Sequence, residues 1–152
     1  METASVDREY AASESRIRSI LDNVTVFLDA AGFDVERDGD RLELTKRVAV
    51  AQFELDVELR EEESAALAYE QVSGPFDAMV TRYYVDATAS GSRLTIETSF
   101  DPPTSGFGSF LNSAAIRRQR RAELDAVTSL LEATDGPSNP AEDRPAVETG
   151  GK

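Results

Sequence analysis

From Phe33 to Phe100 the apolar residues recur with a period of two almost throughout, and that alternation constrains the fold more than any other feature of the chain. "FDVERDGDRLELTKR" reads as a hairpin turning at Asp38-Gly39-Asp40. The same carboxylates suggest calcium, but the ligand spacing of an EF-hand loop is missing, so the turn reading is preferred. Leu42, Leu44, Val48 and Val50 fall on even numbers, whereas Phe53, Leu55, Val57 and Leu59 fall on odd ones. One straight strand cannot show both phases to one core, so a turn or bulge is predicted around Ala51-Gln52. "FELDVELR" is then a half-buried strand with Glu54, Asp56, Glu58 and Arg60 outward. Glu61-Glu62-Glu63 reads as a solvated turn rather than a metal cluster. The strands "AALAYEQV", "FDAMVTRYYVDATA" and "RLTIETSF" follow, divided by Ser73-Gly74-Pro75 and Ser90-Gly91-Ser92. "DPPTSG" stops the sheet, because proline cannot donate to its ladder.

Helical spacing flanks this meander. Residues 4 to 10 alternate weakly as a first strand, and Ser13 N-caps a stretch carrying Ile17, Ile20, Leu21, Val24, Phe27, Leu28 and Ala31 on one face. Asp22-Asn23 could cap a second short helix, and Gly32 ends the run. Phe107 to about Ala133 reads as one long final helix. An antiparallel sheet with one wet face must cover its apolar face, and only that last helix is long enough to do so. An α+β fold follows, with a curved antiparallel sheet around a C-terminal helix in one domain over residues 1–134. Residues 135–152 hold three prolines, three glycines and almost no large aliphatic side chain, and are expected to be a disordered acidic tail.

Composition removes several function classes. The 29 acidic and 16 basic residues give a net charge of −13, which repels phosphates and anionic lipid. Fourteen arginines against two lysines, Lys46 and Lys152, together with the acidic excess, resemble proteins of salt-loving archaea. At molar salt the Debye length is about 3 Å, so such self-repulsion is largely screened. No cysteine is present, hence no disulfide, zinc-thiolate site or thiol nucleophile. The lack of histidine removes the commonest general base and every Ser-His-Asp triad. Neither a metal nor a cofactor is expected. The acidic start has no apolar core of a signal peptide, and no run approaches the ~20 residues that span a bilayer. A cytoplasmic, monomeric protein is the expectation, in which the "NVT" sequon at Asn23 is chance.

Three stretches carry a family resemblance: "REYAASESRIRSIL", a strand running into a capped helix; "LAYEQVSGPFDA", a strand, turn and strand; and "GSRLTIETSFDP" before the last helix. Over about residues 3 to 133 the chain resembles the SRPBCC superfamily, the START-like or helix-grip proteins. The resemblance implies about seven strands wrapped around the last helix, and a hydrophobic cavity used for lipids, sterols, polyketides or other apolar molecules. A minority of such proteins are aromatase/cyclases or hydrolases. No catalytic residue of the family can be matched to a position here.

Alternation points Phe53, Leu55 and Val57 inward, as well as Leu94, Ile96 and Thr98, with Leu67, Tyr69, Met79, Thr81 and Tyr83 from the middle strands. Phe107, Phe110, Leu111 and Ala114 would form the helical wall of an elongated apolar pocket, with Gly106 and Gly108 letting it move. Its few polar contacts would come from Gln71, Thr81, Tyr83 and Thr98. For catalysis, Tyr83 or Tyr84 with Asp86, or Gln71 with Thr98, are the candidate polar pairs. The alternative is that these aromatics fill the space, leaving a closed core and a protein-interaction module. A cavity above about 300 Å³ with two or more convergent polar groups would favour ligand binding or catalysis.

"RRQRR", Arg117 to Arg121, is the one basic cluster. With no second basic segment and no RNA-binding aromatic motif, nucleic acid is not an expected partner. Arg117, Arg118 and Arg121 lie off the stripe formed by Ile116, Leu124, Val127 and Leu131, and read as solvated helix face, Arg121 pairing with Asp125. Arg120 falls within the stripe. It either anchors a ligand carboxylate or phosphate, snorkels past the sheet edge, or pairs with a strand glutamate.

Overall fold

A computed structural model describes residues 1–48, 51–103 and 111–134. The chain runs β1 (Glu2–Tyr10), α1 (Glu14–Asp22), α2 (Val24–Ala30), β2 (Asp34–Asp38), β3 (Arg41–Val48), β4 (Ala51–Leu59), β5 (Leu67–Ser73), β6 (Ala78–Thr88), β7 (Gly91–Asp101) and α3 (Ser113–Thr134). The strands form one seven-stranded antiparallel sheet in the order β1-β7-β6-β5-β4-β3-β2. Six strands are thus a simple meander, and β1 crosses over to extend the β7 edge.

The alternation seen in the sequence is the alternation of burial. Met79, Thr81, Tyr83 and Val85 of β6 are buried, as are Leu94, Ile96, Thr98 and Phe100 of β7. The change of phase between Val50 and Phe53 reflects the passage from β3 to β4, which pair antiparallel down to Val48 and Ala51. A further register shift lies between Asp56 and Val57, where β4 meets β5. Such an extra residue bends a strand and deepens its twist.

Two short helices follow β1, as the break at Asp22-Asn23 allows. Ser13 Oγ accepts the Arg16 backbone N–H at 3.2 Å and caps α1. Asn23 makes no side-chain cap to α2. Ile17, Leu21, Val24, Phe27 and Leu28 are buried. Gly32 ends the segment with φ +102, a conformation that favours glycine. Gly91 is required for a different reason, since a Cβ there would lie 2.1 Å from the Tyr10 carbonyl oxygen.

Among the described residues, α3 begins at Ser113, with Asn112 Oδ1 accepting the Ala115 N–H at 2.9 Å. Ile116, Arg120, Glu123, Leu124, Val127 and Leu131 form its buried stripe. Tyr10 on β1 donates from its hydroxyl to the Leu124 carbonyl at 2.7 Å, and Arg8 pairs with Asp125 at 2.9 Å. The expected Arg121–Asp125 pair is therefore corrected: β1 lies close enough to supply Asp125 with an arginine from the sheet. Gly106, Phe107, Gly108, Phe110 and the tail 135–152 lie outside the described residues. Among the described residues no helix is long and apolar enough to cross a membrane, and no cluster of His, Cys, Asp or Glu has the makings of a metal site.

Candidate ligand-binding site

At the centre of the grip sits a charge. Arg120 is 6% exposed and Glu123, one turn along α3, is 0% exposed. Arg120 Nη1 donates to Glu123 Oε2 at 2.6 Å and to the Tyr69 hydroxyl at 3.0 Å. Its Nε reaches Thr98 Oγ1 at 2.9 Å, and Nη2 reaches Thr81 Oγ1 at 2.8 Å. The guanidinium fork is thereby clasped by strands β5, β6 and β7 at once. Thr81 and Thr98 also share a hydrogen bond of 2.9 Å. Sequence reasoning placed Arg120 in the apolar stripe but expected it to reach a ligand, solvent or a strand glutamate. It instead pairs with a glutamate of its own helix.

The direction of the hydrogen bonds can be followed. Tyr83 gives its single proton to Glu123 Oε1 at 2.5 Å, so at the 3.0 Å contact between the two phenols Tyr69 must be the donor. The chain therefore runs from Arg120 to Tyr69 to Tyr83 to Glu123. Burial pushes both phenols up, strongly so for Tyr83, where the Glu123 carboxylate adds to the effect. Burial opposes the charge on Arg120, but Glu123 outweighs it and holds the guanidinium charged. Glu123 Oε2 accepts a further bond, from Gln119 Nε2 at 3.0 Å. Lys46 Nζ in turn donates to Gln119 Oε1, and to the Ala31 carbonyl at 3.4 Å. Burial pulls the Lys46 amine down, and its charge lies 5.3 Å from the centre of the Phe33 ring.

A cavity of about 270 Å³ opens beside this network, between the first turns of α3, strands β3 and β4, and the β5–β6 turn. Phe33, Leu44, Phe53, Leu55, Phe76 and Ile116 supply most of its apolar wall. Lys46, Gln119 and Arg120 converge on it from the network side, with Arg47 and Arg118 nearby. Its volume falls a little short of the size expected of a small-molecule site, while its polar groups exceed the expected number. A second hollow of about 380 Å³ lies between α1, α2 and the end of α3, lined by residues such as Ile20, Val26 and Leu130. It is larger but faces outward, and the Arg120 network does not open into it. The first cavity is the better candidate.

The expected site residues divide accordingly. Phe53, Leu55, Leu111 and Arg120 line the cavity. Tyr69, Thr81, Tyr83 and Thr98 are fully buried but spend their hydroxyls on one another and on Arg120 and Glu123, so the deep end of the expected elongated pocket is solid. Met79 packs in the core and accepts from Thr81 Oγ1 at 3.2 Å. Gln71 is turned to the β5–β6 turn, exchanging two hydrogen bonds with the backbone of Phe76. Ala114, expected in the wall, is exposed, because two residues before Ile116 is roughly 200° around the helix from it. Phe107 and Phe110 lie outside the described residues. The candidate catalytic pairs do not assemble: Asp86 is exposed, opposite Arg93 on the outer phase shared by Tyr84. Glu123, Gln119 and Lys46 were missed. Glu123 sits roughly 20° from Ile116 on the wheel, and Lys46 continues the inward phase of Leu42 and Leu44.

No family model and no curated protein matches the sequence. Solved structures do. A protein from Thermus thermophilus superposes with a TM-score of 0.74 at 13% identity, covering 89% of this chain and 100% of its own. The Zhui aromatase/cyclase of Streptomyces sp. R1128 gives 0.69 at 16% identity, covering 91% and 99%. A START superfamily protein of Mycobacterium smegmatis gives 0.58 at 14% identity, covering 87% and 95%. At such identities the likeness concerns architecture. The chain has the START-like, SRPBCC-type helix-grip fold: a seven-stranded antiparallel sheet gripping a C-terminal helix.

Proposed function

We propose that the protein is a cytoplasmic, non-catalytic binding module for a small apolar molecule, held in the cavity between the sheet and the start of α3. The observation that carries this reading is an apolar chamber whose polar wall is fixed by a hydrogen-bonded network. Preorganised polar groups at the end of an apolar pocket orient a ligand without reorganising. The same network argues against the cyclase- or hydrolase-like alternative. Glu123 and both phenols are bonded to one another and do not line the cavity, so none of these three groups is free to act on a ligand there. A closed core serving a protein interface is disfavoured by the open volume. The acidic, lysine-poor surface suits a protein working in concentrated salt.

A panel of fatty acids and polycyclic aromatics, read by chemical-shift perturbation, tests the assignment. Shifts are expected at Leu44, Leu55, Ile116 and Gln119. Shifts confined to the outer strand faces or to the hollow beside Val26, or none at millimolar ligand, would remove it for those ligand classes.

A further inference from the structure

The cavity inverts the charge of the protein around it. Acids outnumber bases 29 to 16 in the chain, and at that frequency fifteen residues would include about three acids. The fifteen described residues that line the cavity include none, but four cations: Lys46, Arg47, Arg118 and Arg120. Glu123 is in salt-bridge contact with Arg120 and attracts Lys46 only from a distance, across Gln119. Lys46, Arg47 and Arg118 make no ion pair with any carboxylate among the described residues. Lys46 is the telling one. It is half-buried over an aromatic ring, and its two hydrogen bonds go to neutral acceptors, a carbonyl and an amide oxygen. An ammonium carries three donors, so one is left without a partner among the described residues. Keeping a half-buried cation without a counter-ion in contact is costly unless something else brings the negative charge closer.

We infer that the ligand brings it: the cavity takes an amphipathic organic acid, whose compact apolar body lies against Phe53, Leu55 and Ile116 and whose acid group meets Lys46, with Arg47 and Arg118 also on the lining. The inference rests on the binding function proposed above and names its ligand class. The volume, about nine waters' worth of liquid, limits the body to one or two rings or a medium-length chain. Arg47 and Arg118 are at least partly exposed and act by steering, which salt screens. Lys46 is partly desolvated, and its attraction persists at high salt.

Calorimetry with matched pairs tests this, using 2-naphthoate against 2-naphthalenemethanol and decanoate against decanol, each in dilute and in molar KCl. 2-Naphthyl phosphate distinguishes a carboxylate from a phosphate head. The acids are expected to bind about tenfold or more tightly than the alcohols, since one charge-assisted hydrogen bond is worth that much. The preference of acid over alcohol should survive molar KCl and vanish in Lys46→Met. Equal affinities within both pairs would overturn the acid, and leave the apolar site standing. Failure of all five compounds would overturn both. A readout independent of folding of the variant comes from 13Cε-labelled lysine in the unaltered protein, where the chain has only two lysines. Acid, but not alcohol, should move the Lys46 titration to higher pH. An unmoved titration with the acid bound would place its charge elsewhere and refute the assignment.

Discussion

Arg120→Leu should be among the most damaging single substitutions in this protein, and Arg120→Leu with Glu123→Leu should be far less so. Arg120 and Glu123 are 6% and 0% exposed, and each is the other's only salt-bridge partner among the described residues. Removing the arginine alone strands a carboxylate away from water, for which about 3–5 kcal/mol is the usual cost. Removing both takes away the desolvation penalty along with the attraction, which is often neutral or even stabilising when the replacements pack well. After the double change Tyr69 still pairs with Tyr83 and Thr81 with Thr98, although the Tyr83 O–H loses its Glu123 acceptor, which offsets part of the recovery. The coupling between the two sites should therefore reach about 2–3 kcal/mol, the upper part of the range for residues in one network. Urea unfolding of the parent, both single variants and the double variant, at one fixed KCl concentration, gives the cycle. Additive losses, or an Arg120→Leu cost below about 1 kcal/mol, would mean that the network is not closed as described.

Further outcomes follow from the same geometry. Converting Arg117, Arg118 and Arg121 to Gln should change stability by no more than about 0.5 kcal/mol each in urea melts, because none lies in the buried stripe. Stability should decline as pH rises from about 10 towards 12: Tyr10 is pushed up to about 12 by burial, and Tyr69 and Tyr83 are raised by burial too. The unfolded chain loses those protons first, so alkali favours it. Phenolate absorbance should show these tyrosines ionising only on unfolding; early ionisation of all four tyrosines would contradict the buried chain of hydroxyls. The thermal midpoint should rise as KCl is taken from tens of millimolar towards molar, and a flat or falling midpoint would remove the salt-adapted reading. Truncation after Asp135 should leave the midpoint within about a degree.

Much of the architecture was legible because a half-buried antiparallel strand writes its inward face at every second position. The inward residues of β6 and β7, Met79 to Val85 and Leu94 to Phe100, follow that rule without exception. The site was legible only in part. Alternation says that Tyr69, Thr81, Tyr83 and Thr98 face the helix, but not that a helical Arg–Glu pair reaches down to fill the space between them. That depends on where α3 starts and how closely it lies, which Asn112 and β1 set through Asn112 Oδ1, Tyr10 and Arg8. Glu123 could have been found by asking which polar residues share the apolar stripe. Lys46 could have been found by continuing the inward phase of β3 past Leu44. Both were hidden by counting apolar positions alone, whereas the informative residues on a buried face are its polar ones.

The central claim is that the cavity beside Arg120 holds a small apolar ligand, and native mass spectrometry of the protein taken from its own host tests it most directly. The parent should carry a small-molecule adduct that Ala115→Trp, which fills the cavity from α3, does not. Bare mass in both proteins, or an adduct retained equally in the filled variant, would contradict the claim.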